Sequence, residues 1–183
     1  TRLLHGDTVI AEGKAALMSL TAPPAPAFIE AEEAARSCSG LTRHAFPSCF
    51  VCGPDRSHGD GLRIFPGAVG TRSLVAAPWI PDGSLAAPSG GVAPEFIWAA
   101  LDCTSAFPFL PTPDGKALVL GEFSVRIDAA VAPGERCVVA GWPVRIDGRK
   151  RFSESALYAN DGRPLAVARA TWIEVDARAF TEA

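Results

Sequence analysis

The sequence predicts an α+β fold in which one long, curved antiparallel sheet wraps around a single apolar helix. One supporting observation is that strand-like runs in the second half of the chain alternate with short turn signals. These turns are PDG at 113–115, PG at 133–134 and DG at 147–148 and 161–162. The other observation is the stretch PEFIWAALDCTSAF at 94–107, which as a helix has no polar face through more than a turn. Such a helix is buried on most sides, so the sheet has to wrap around it.

Composition and charge exclude several classes of protein. The chain has 183 residues, 48% of them hydrophobic, which is enough for a sizeable core and unlike a disordered protein. Its formal net charge of -3 creates no cationic field, so nucleic acid is not a predicted partner. No apolar run reaches the length of a membrane span, and no membrane partner is predicted. Five cysteines, an odd number, favour reduced thiols and a cytoplasmic location.

The N-terminal quarter of the chain is predicted to be an extension outside the main domain. It begins with a short strand, a turn at Gly6 and a second strand. The proline cluster APPAPA at 22–27 then interrupts the chain, and a short charged helix at 28–38 follows. The predicted division is an extension at 1–45, the main domain at 46–176 and a C-terminal tail at 177–183.

Strand candidates of the main domain begin at residue 62. The stretch 62–81 contains two of them around a turn at Pro66 and Gly67, and four longer runs follow the apolar helix as one antiparallel meander. Gly141 and Pro143 interrupt the second of these runs, so a bulge or bend is expected there. The four runs are 118–131, 136–146, 151–159 and 164–175.

The apolar helix contains one carboxylate near its middle, Asp102. Pro94 suits the first position of a helix, and Pro108 stands where the helix should stop. Two interpretations of Asp102 are open. It is either part of a functional site or a helix-end carboxylate that accepts hydrogen bonds from neighbouring hydroxyls, such as those of Thr104 or Ser105.

Three motifs, in this order, resemble the phenylacetate-type (PaaI-like) thioesterases of the hotdog superfamily. They are CFVCGPDRSHGDGL at 49–62, WAALDCTSA at 98–106 and GRPLAVARATW at 162–172. The resemblance covers residues 46–176 and implies a hotdog fold, in which a long antiparallel sheet wraps a central helix. It also implies a homodimer or a tandem hotdog assembly, in which residues 1–45 could be the end of a preceding repeat.

The resemblance implies that the chain hydrolyses acyl-CoA thioesters. Matching the helix residue by residue places the family's acid at Asp102, as a general base on water or as a nucleophile on the thioester carbonyl. The family also holds the thioester oxygen with a backbone N–H at the start of this helix. Its usual His-Gly-Gly is replaced here by Ala93, Pro94 and Glu95, and Pro94 has no N–H. A non-catalytic protein that binds acyl-CoA or a lipid-like ligand is therefore the alternative prediction.

Further residues are predicted to contact the acyl-CoA substrate. The densest basic cluster consists of Arg149, Lys150 and Arg151. Its charges suit the phosphates of the nucleotide, although a solvated hairpin corner would explain them as well. On the helix, the predicted substrate contacts are Phe96, Trp98 and Thr104, of which the aromatic residues could equally be core.

The cysteine-rich loop raises the question of a metal. Cys49 and Cys52, with His44 before them and His58 after, have the right chemistry for zinc. The chain has no second CxxC, and the histidines are not spaced as a zinc-finger pair. The favoured interpretation is therefore a turn in which small thiols pack. Cys103 is expected to be an inert buried thiol. The sequence thus predicts no metal and no cofactor.

Overall fold

Residues 1–180 are the part of the chain that the computed structural model describes, and they form two α-helices on opposite faces of a six-stranded sheet, preceded by a two-stranded hairpin. The helices are α1 (Phe28–Arg36) and α2 (Pro94–Ala106). The strands are β1 (Arg2–His5), β2 (Thr8–Glu12), β3 (Gly67–Ala68), β4 (Val75–Trp79), β5 (Lys116–Ile127), β6 (Cys137–Asp147), β7 (Lys150–Ala159) and β8 (Pro164–Asp176). No helix in this part of the chain is long and apolar enough to cross a membrane.

The alternation of side chains along each strand separates the two faces of the sheet. Val139 and Leu157 pack in the cluster that contains α2, whereas their neighbours Val138 and Tyr158 pack in the cluster that contains α1. We call these sides the α2 face and the α1 face. The predicted buried helix is confirmed, because Ile97, Ala100 and Leu101 of α2 are buried in the core on this face.

The sheet order is β3-β4-β6-β7-β8-β5, and all neighbouring strands are antiparallel. β6, β7 and β8 form the predicted meander, but β5 pairs with β8 rather than with β6, so the prediction of four consecutive neighbours is wrong. The chain crosses the end of the sheet between β5 and β6. Val131 in this crossing is fully buried, and its carbonyl accepts the N–H of Val92 just before α2. β5 is consequently an edge strand in the described sheet.

Two glycines let the helices approach the sheet closely. A Cβ at Gly141 in β6 would collide with the carbonyl oxygen of Thr104 in α2, and one at Gly67 in β3 would collide with the carbonyl of Ala34 in α1. The irregularity predicted near Gly141 is confirmed, since the register of β6 and β7 shifts after Pro143.

The first two strands of the sheet differ from the prediction. β3 has only two residues, and the turn to β4 lies at 69–74 rather than at Pro66 and Gly67. Pro66 has no N–H to donate to a strand ladder, and Gly67 is the point where α1 comes closest to the sheet. The chain before Gly67 therefore runs as a loop.

The predicted N-terminal strands and helix are present. β1 and β2 form an exposed hairpin that turns at Gly6, whose φ is 59°. Residues 18–27 then cross the α1 face. There the Tyr158 hydroxyl donates to the carbonyl of Pro23 (2.9 Å), and the Arg126 guanidinium donates to the carbonyl of Met18 (2.9 Å). The domain boundary at residue 45 stays a prediction. Of the predicted tail at 177–183, residues 181–183 lie outside the described residues.

Candidate functional site

The position of α2 is set by apolar packing and by two hydrogen bonds from the sheet. Ile97 and Leu101 are buried against the α2 face. The Ser155 hydroxyl in β7 donates to the carbonyl of Leu101 (2.9 Å), and the Trp172 indole in β8 donates to the hydroxyl of Ser105 (2.8 Å). These directional contacts fix the rotation of α2 about its axis, and so decide which of its side chains turn away from the sheet.

The neighbouring hydroxyls do not satisfy Asp102. The Thr104 hydroxyl donates to the carbonyl of Ala100 (2.8 Å), and the Ser105 hydroxyl donates to the main-chain carbonyl of Asp102 (2.7 Å). Both hydroxyls therefore serve the helix backbone. The interpretation of Asp102 as a carboxylate satisfied by Thr104 or Ser105 is wrong for this structure.

The carboxylate of Asp102 is instead left without a partner. Its Oδ1 is one of two buried side-chain nitrogen or oxygen atoms in residues 1–180 that have no hydrogen-bond partner, and the other is the hydroxyl of Ser153. Burial raises the pKa of Asp102 to about 7, and the nearby charge of Cys49 adds to this shift. An unpaired buried carboxyl costs stability, so its presence here favours a functional role.

An apolar surface adjoins Asp102. Trp98 lies one turn earlier on the same side of α2, is 42% exposed, and packs edge-on against Phe123 of β5 with 5.7 Å between ring centroids. Leu120 of β5 is 40% exposed. Phe96 points elsewhere on the helix, toward Phe50, with 6.2 Å between centroids. Of the two predicted aromatic contacts, the structure thus places Trp98 on the side of α2 that carries Asp102.

The other predicted substrate contacts differ in their exposure to solvent. Thr104 is fully buried between α2 and the sheet. Arg149 and Lys150 are exposed at the tip of the β6–β7 hairpin. Arg151 is mostly buried in an ion pair with Glu174 (Nη2 to Oε2, 2.7 Å). The charge of Arg151 is therefore already partnered, whereas those of the two residues before it face solvent.

The first turn of α2 offers a single free amide. Pro94 has no N–H, the N–H of Ala93 donates to the carbonyl of Leu85 (2.9 Å), and the N–H of Phe96 donates to the carbonyl of Ala93 (3.0 Å). Within residues 93–96 this leaves the N–H of Glu95, which has no acceptor in the described part of the chain. It lies at the positive end of the helix dipole.

Two cysteines of the loop before β3 meet a cysteine of α2. The Sγ atoms of Cys49, Cys52 and Cys103 all lie within 4.8 Å of one another, with 3.5 Å between Cys49 and Cys103 and 3.6 Å between Cys49 and Cys52. We call them the thiol cluster. His44 Nε2 lies 3.2 Å from the Sγ of Cys52. His58 is exposed and lines a separate depression, so it is not beside these thiols.

Hydrogen bonding separates the pKa values within the thiol cluster. The hydrogen bond from Cys103, followed by that from Cys52, lowers the pKa of Cys49 far below its usual value. The same hydrogen bond with Cys49 raises the pKa of Cys103. Cys49 is therefore the member of the cluster that most readily carries negative charge.

A cavity of about 270 Å³ opens beside the thiol cluster. Its walls include the three cysteines together with His44, Phe107 and Trp172. Asp102 is not among the described residues that line it. The cavity and the carboxylate thus lie on different sides of the same helix, since Asp102 and Cys103 are consecutive and project about 100° apart.

Comparison with solved structures identifies the fold. No protein-family profile and no curated protein sequence matches the chain. Among solved structures, a thioesterase of Haemophilus influenzae matches with a TM-score of 0.59 and 16% identity, covering 69% of this chain and 86% of that one. A phenylacetic acid degradation-related thioesterase of Ralstonia eutropha JMP134 matches with a TM-score of 0.55 and 18% identity, covering 61% and 85%. The chain has the hotdog fold.

A third similar structure was solved with a ligand. This protein, from Streptococcus mutans UA159, is bound to acetyl-CoA and matches with a TM-score of 0.52 and 14% identity, covering 57% of this chain and 83% of that one. The predicted hotdog resemblance is thereby confirmed at the level of the fold. In this hotdog α2 is the central helix, and β5 is one edge strand of the sheet that wraps it.

Sequence reasoning singled out Asp102, whose role stays a prediction, and it did not find the thiol cluster. The available signals were the CxxCG turn at 49–53 and the cysteine that follows Asp102 in the hotdog helix. Neither signal says that the loop folds onto the helix. Only the contact between Cys49 and Cys103, 54 residues apart, brings the three sulfurs together.

Proposed function

We propose that this hotdog chain is an acyl-CoA thioesterase in which Asp102 is the general base or the nucleophile. The observation that carries the proposal is the buried, unpartnered Oδ1 of Asp102 on the central helix. As a base, this oxygen takes a proton from water, the hydroxide attacks the thioester carbonyl, and the thiolate of CoA leaves. A hotdog protein of Streptococcus mutans bound to acetyl-CoA supports the choice of substrate.

The amide of Glu95 is the proposed donor to the thioester oxygen. It is the free N–H in the first turn of α2, and the helix dipole favours negative charge beside it. The Glu95 side chain is exposed and adds a negative charge near the same point. This second feature supports the alternative function, a hotdog protein that binds acyl-CoA or a lipid-like ligand without hydrolysing it.

The proposed active unit is a homodimer or a tandem assembly that covers β5 with another hotdog. An uncovered edge strand of 12 residues is an exposed template for pairing. Trp98 and Leu120 would lose their exposed apolar surface in such a contact. Asp102 lies one helical turn from Trp98, so the partner would complete the wall of the acyl site. Arg149 and Lys150 are the proposed phosphate contacts, and the five free thiols suit the cytoplasm.

The function is tested with the purified full chain and a panel of short, long and aromatic acyl-CoA thioesters, with free thiol as the readout. We expect hydrolysis of part of the panel by the wild type and its loss in Asp102→Asn. Equal turnover by both proteins would remove Asp102 from catalysis. Tight binding of a non-hydrolysable thioether analogue, without thiol release from any ester, would favour the binding protein.

The assembly is tested by sedimentation of Leu120→Lys, which places a charge on the exposed edge. We expect this variant to be monomeric and slower in hydrolysis. Ile10→Lys is the matched control, because Ile10 is equally apolar and 58% exposed in the N-terminal hairpin. A wild-type chain that is monomeric and fully active would contradict the proposed assembly.

A further inference from the structure

The thiol cluster carries an inference that goes beyond thioester hydrolysis. We propose that Cys49, Cys52 and Cys103 bind one zinc ion, which ties the cysteine-rich loop to the central helix. This differs from the sequence-based expectation that these thiols only pack. That expectation rested on ligands near in sequence, whereas the third sulfur comes from α2.

The spacing of the sulfurs fits a thiolate metal site. Zn–S bonds of about 2.3 Å at the tetrahedral angle place two sulfurs about 3.8 Å apart. Cys49 lies 3.5 Å from Cys103 and 3.6 Å from Cys52, and all three sulfurs are within 4.8 Å of one another. A zinc ion would therefore require only small side-chain movements.

The loop backbone is already shaped around Cys49. The amide of Gly53 donates to the carbonyl of Cys49 (2.9 Å), and a Cβ at Gly53 would collide with the backbone of Cys49. Glycine thus permits the tight turn that presents both sulfurs of the CxxC to one point.

His44 acts on the cluster as a hydrogen-bond donor. Its Nδ1 accepts the N–H of Phe46 (3.0 Å), so in the neutral ring the proton is on Nε2, 3.2 Å from the Cys52 sulfur. A protonated Nε2 cannot bind a metal, but it can orient a thiolate ligand from the outer shell. The fourth position of the zinc is then open to the cavity, where water or a small ligand would occupy it.

The chemistry of three thiolate ligands favours zinc over magnesium and calcium. Thiolates are soft ligands that suit zinc and other thiophilic ions, and magnesium or calcium would need oxygen ligands that the cluster does not have. In the reduced environment expected for five free thiols, zinc is the divalent ion that such a site takes without redox chemistry.

The direct test is elemental analysis of the full chain, purified without chelator from zinc-supplemented medium. We expect one zinc per chain in the wild type and in Cys38→Ser, whose buried thiol lies outside the cluster. Cys49→Ser, Cys52→Ser and Cys103→Ser should each lose most of the metal. Equal zinc in Cys103→Ser and Cys38→Ser would overturn the site.

A second measurement does not depend on the folding of any variant. Wild-type protein, stripped with chelator and reloaded with Co²⁺, should show sulfur-to-metal charge-transfer absorption and the intense visible bands of four-coordinate cobalt. Folded wild type that takes up neither cobalt nor zinc would overturn the proposal. His44→Gln should keep the metal, and its loss in that variant would overturn the role of His44 as a donor. Metal content is read separately from hydrolysis, so failure of one proposal leaves the other testable.

Discussion

The two helices lie on opposite faces of one sheet, and each is brought close by a glycine, but they bury different groups. α1 buries the apolar side chains Phe28, Ala31 and Ala34, while Glu30 and Glu33 remain in solvent. α2 buries hydroxyls as well as apolar groups, and leaves a carboxylate oxygen without a partner. Both helices cover core, but only α2 bears a burial cost that packing does not explain.

This difference is expected if α1 is structural and α2 carries the proposed site. Burying a carboxylate without a partner is unfavourable, and a chain built only for stability would replace it with an apolar residue or pair it. α1 and residues 18–27 show what purely structural packing looks like in this molecule. The unpartnered Oδ1 of Asp102 and Cys103 of the thiol cluster are both on α2, so both proposed sites lie on this side of the sheet.

The strongest test of the contrast changes one carboxylate to an amide on each helix. Asp102→Asn should lower kcat/KM for acyl-CoA hydrolysis by about 10²- to 10⁴-fold, the usual contribution of a general base. Glu33→Gln on α1 removes the same charge from an exposed position and should leave the rate unchanged. The melting temperature of Asp102→Asn should not fall, since an unfavourable charge is removed. Equal losses of rate in both variants would contradict the contrast.

Removal of metal should lower the melting temperature and speed hydrogen exchange on the α2 face, but leave exchange in α1 unchanged. If zinc binds, free metal at 100 times its Kd adds about 2.7 kcal/mol to the free energy of unfolding. In a chain of this size that corresponds to a rise in melting temperature of roughly 5–11 °C. Calorimetry with and without chelator measures the shift. Hydrogen exchange should show faster exchange after chelation in the 46–61 loop and α2, while exchange in α1 stays the same.

The glycines under the two helices give a smaller and more local effect. Gly141→Ala and Gly67→Ala should each lower the free energy of unfolding by about 1–3 kcal/mol, because the new methyl meets a helix carbonyl. Urea unfolding measures this loss. Only Gly141→Ala should also slow hydrolysis, since it displaces the helix that carries Asp102. A slower reaction in Gly67→Ala, with native Gly141, would show that α1 belongs to the site.

Single hydrogen bonds on the two faces should give the smallest changes. Tyr158→Phe removes the bond to Pro23, and Ser155→Ala removes the bond to Leu101 in α2. Each should cost about 0.5–1.5 kcal/mol of unfolding free energy by urea titration. Hydrolysis by Ser155→Ala should slow because the orientation of α2 changes. If Tyr158→Phe slows it equally, the α1 face influences the site.

Much of the secondary structure could be read from local signals. The central helix begins at Pro94, as predicted, and it ends at Ala106, two residues before Pro108. The DG turns separate β6, β7 and β8 as expected. The bulge after Gly141 was also predictable, because proline and glycine have the same effect on a strand in any fold. These features depend on a few neighbouring residues.

The contacts that define the site could not be read in this way. The partner of β5 depends on how the crossing at 128–136 packs against the start of α2, and the hydroxyls of Thr104 and Ser105 could have bonded either Asp102 or the backbone. The meeting of Cys103 with the CxxC loop depends on the docking of the loop onto α2. In each case the local sequence is compatible with more than one partner, and tertiary packing determines which partner is used.

Taken alone, the sequence determined an apolar helix, a set of strands and the presence of one acid in the helix. Hydrophobic periodicity and turn chemistry act over a few residues, and this range is enough for those features. The tertiary structure decided that Asp102 has no partner and that three sulfurs share one point. Burial, hydrogen-bond partners and metal-ligand geometry depend on residues that folding brings together from distant parts of the chain, so they exist only once the helix is seated in the sheet.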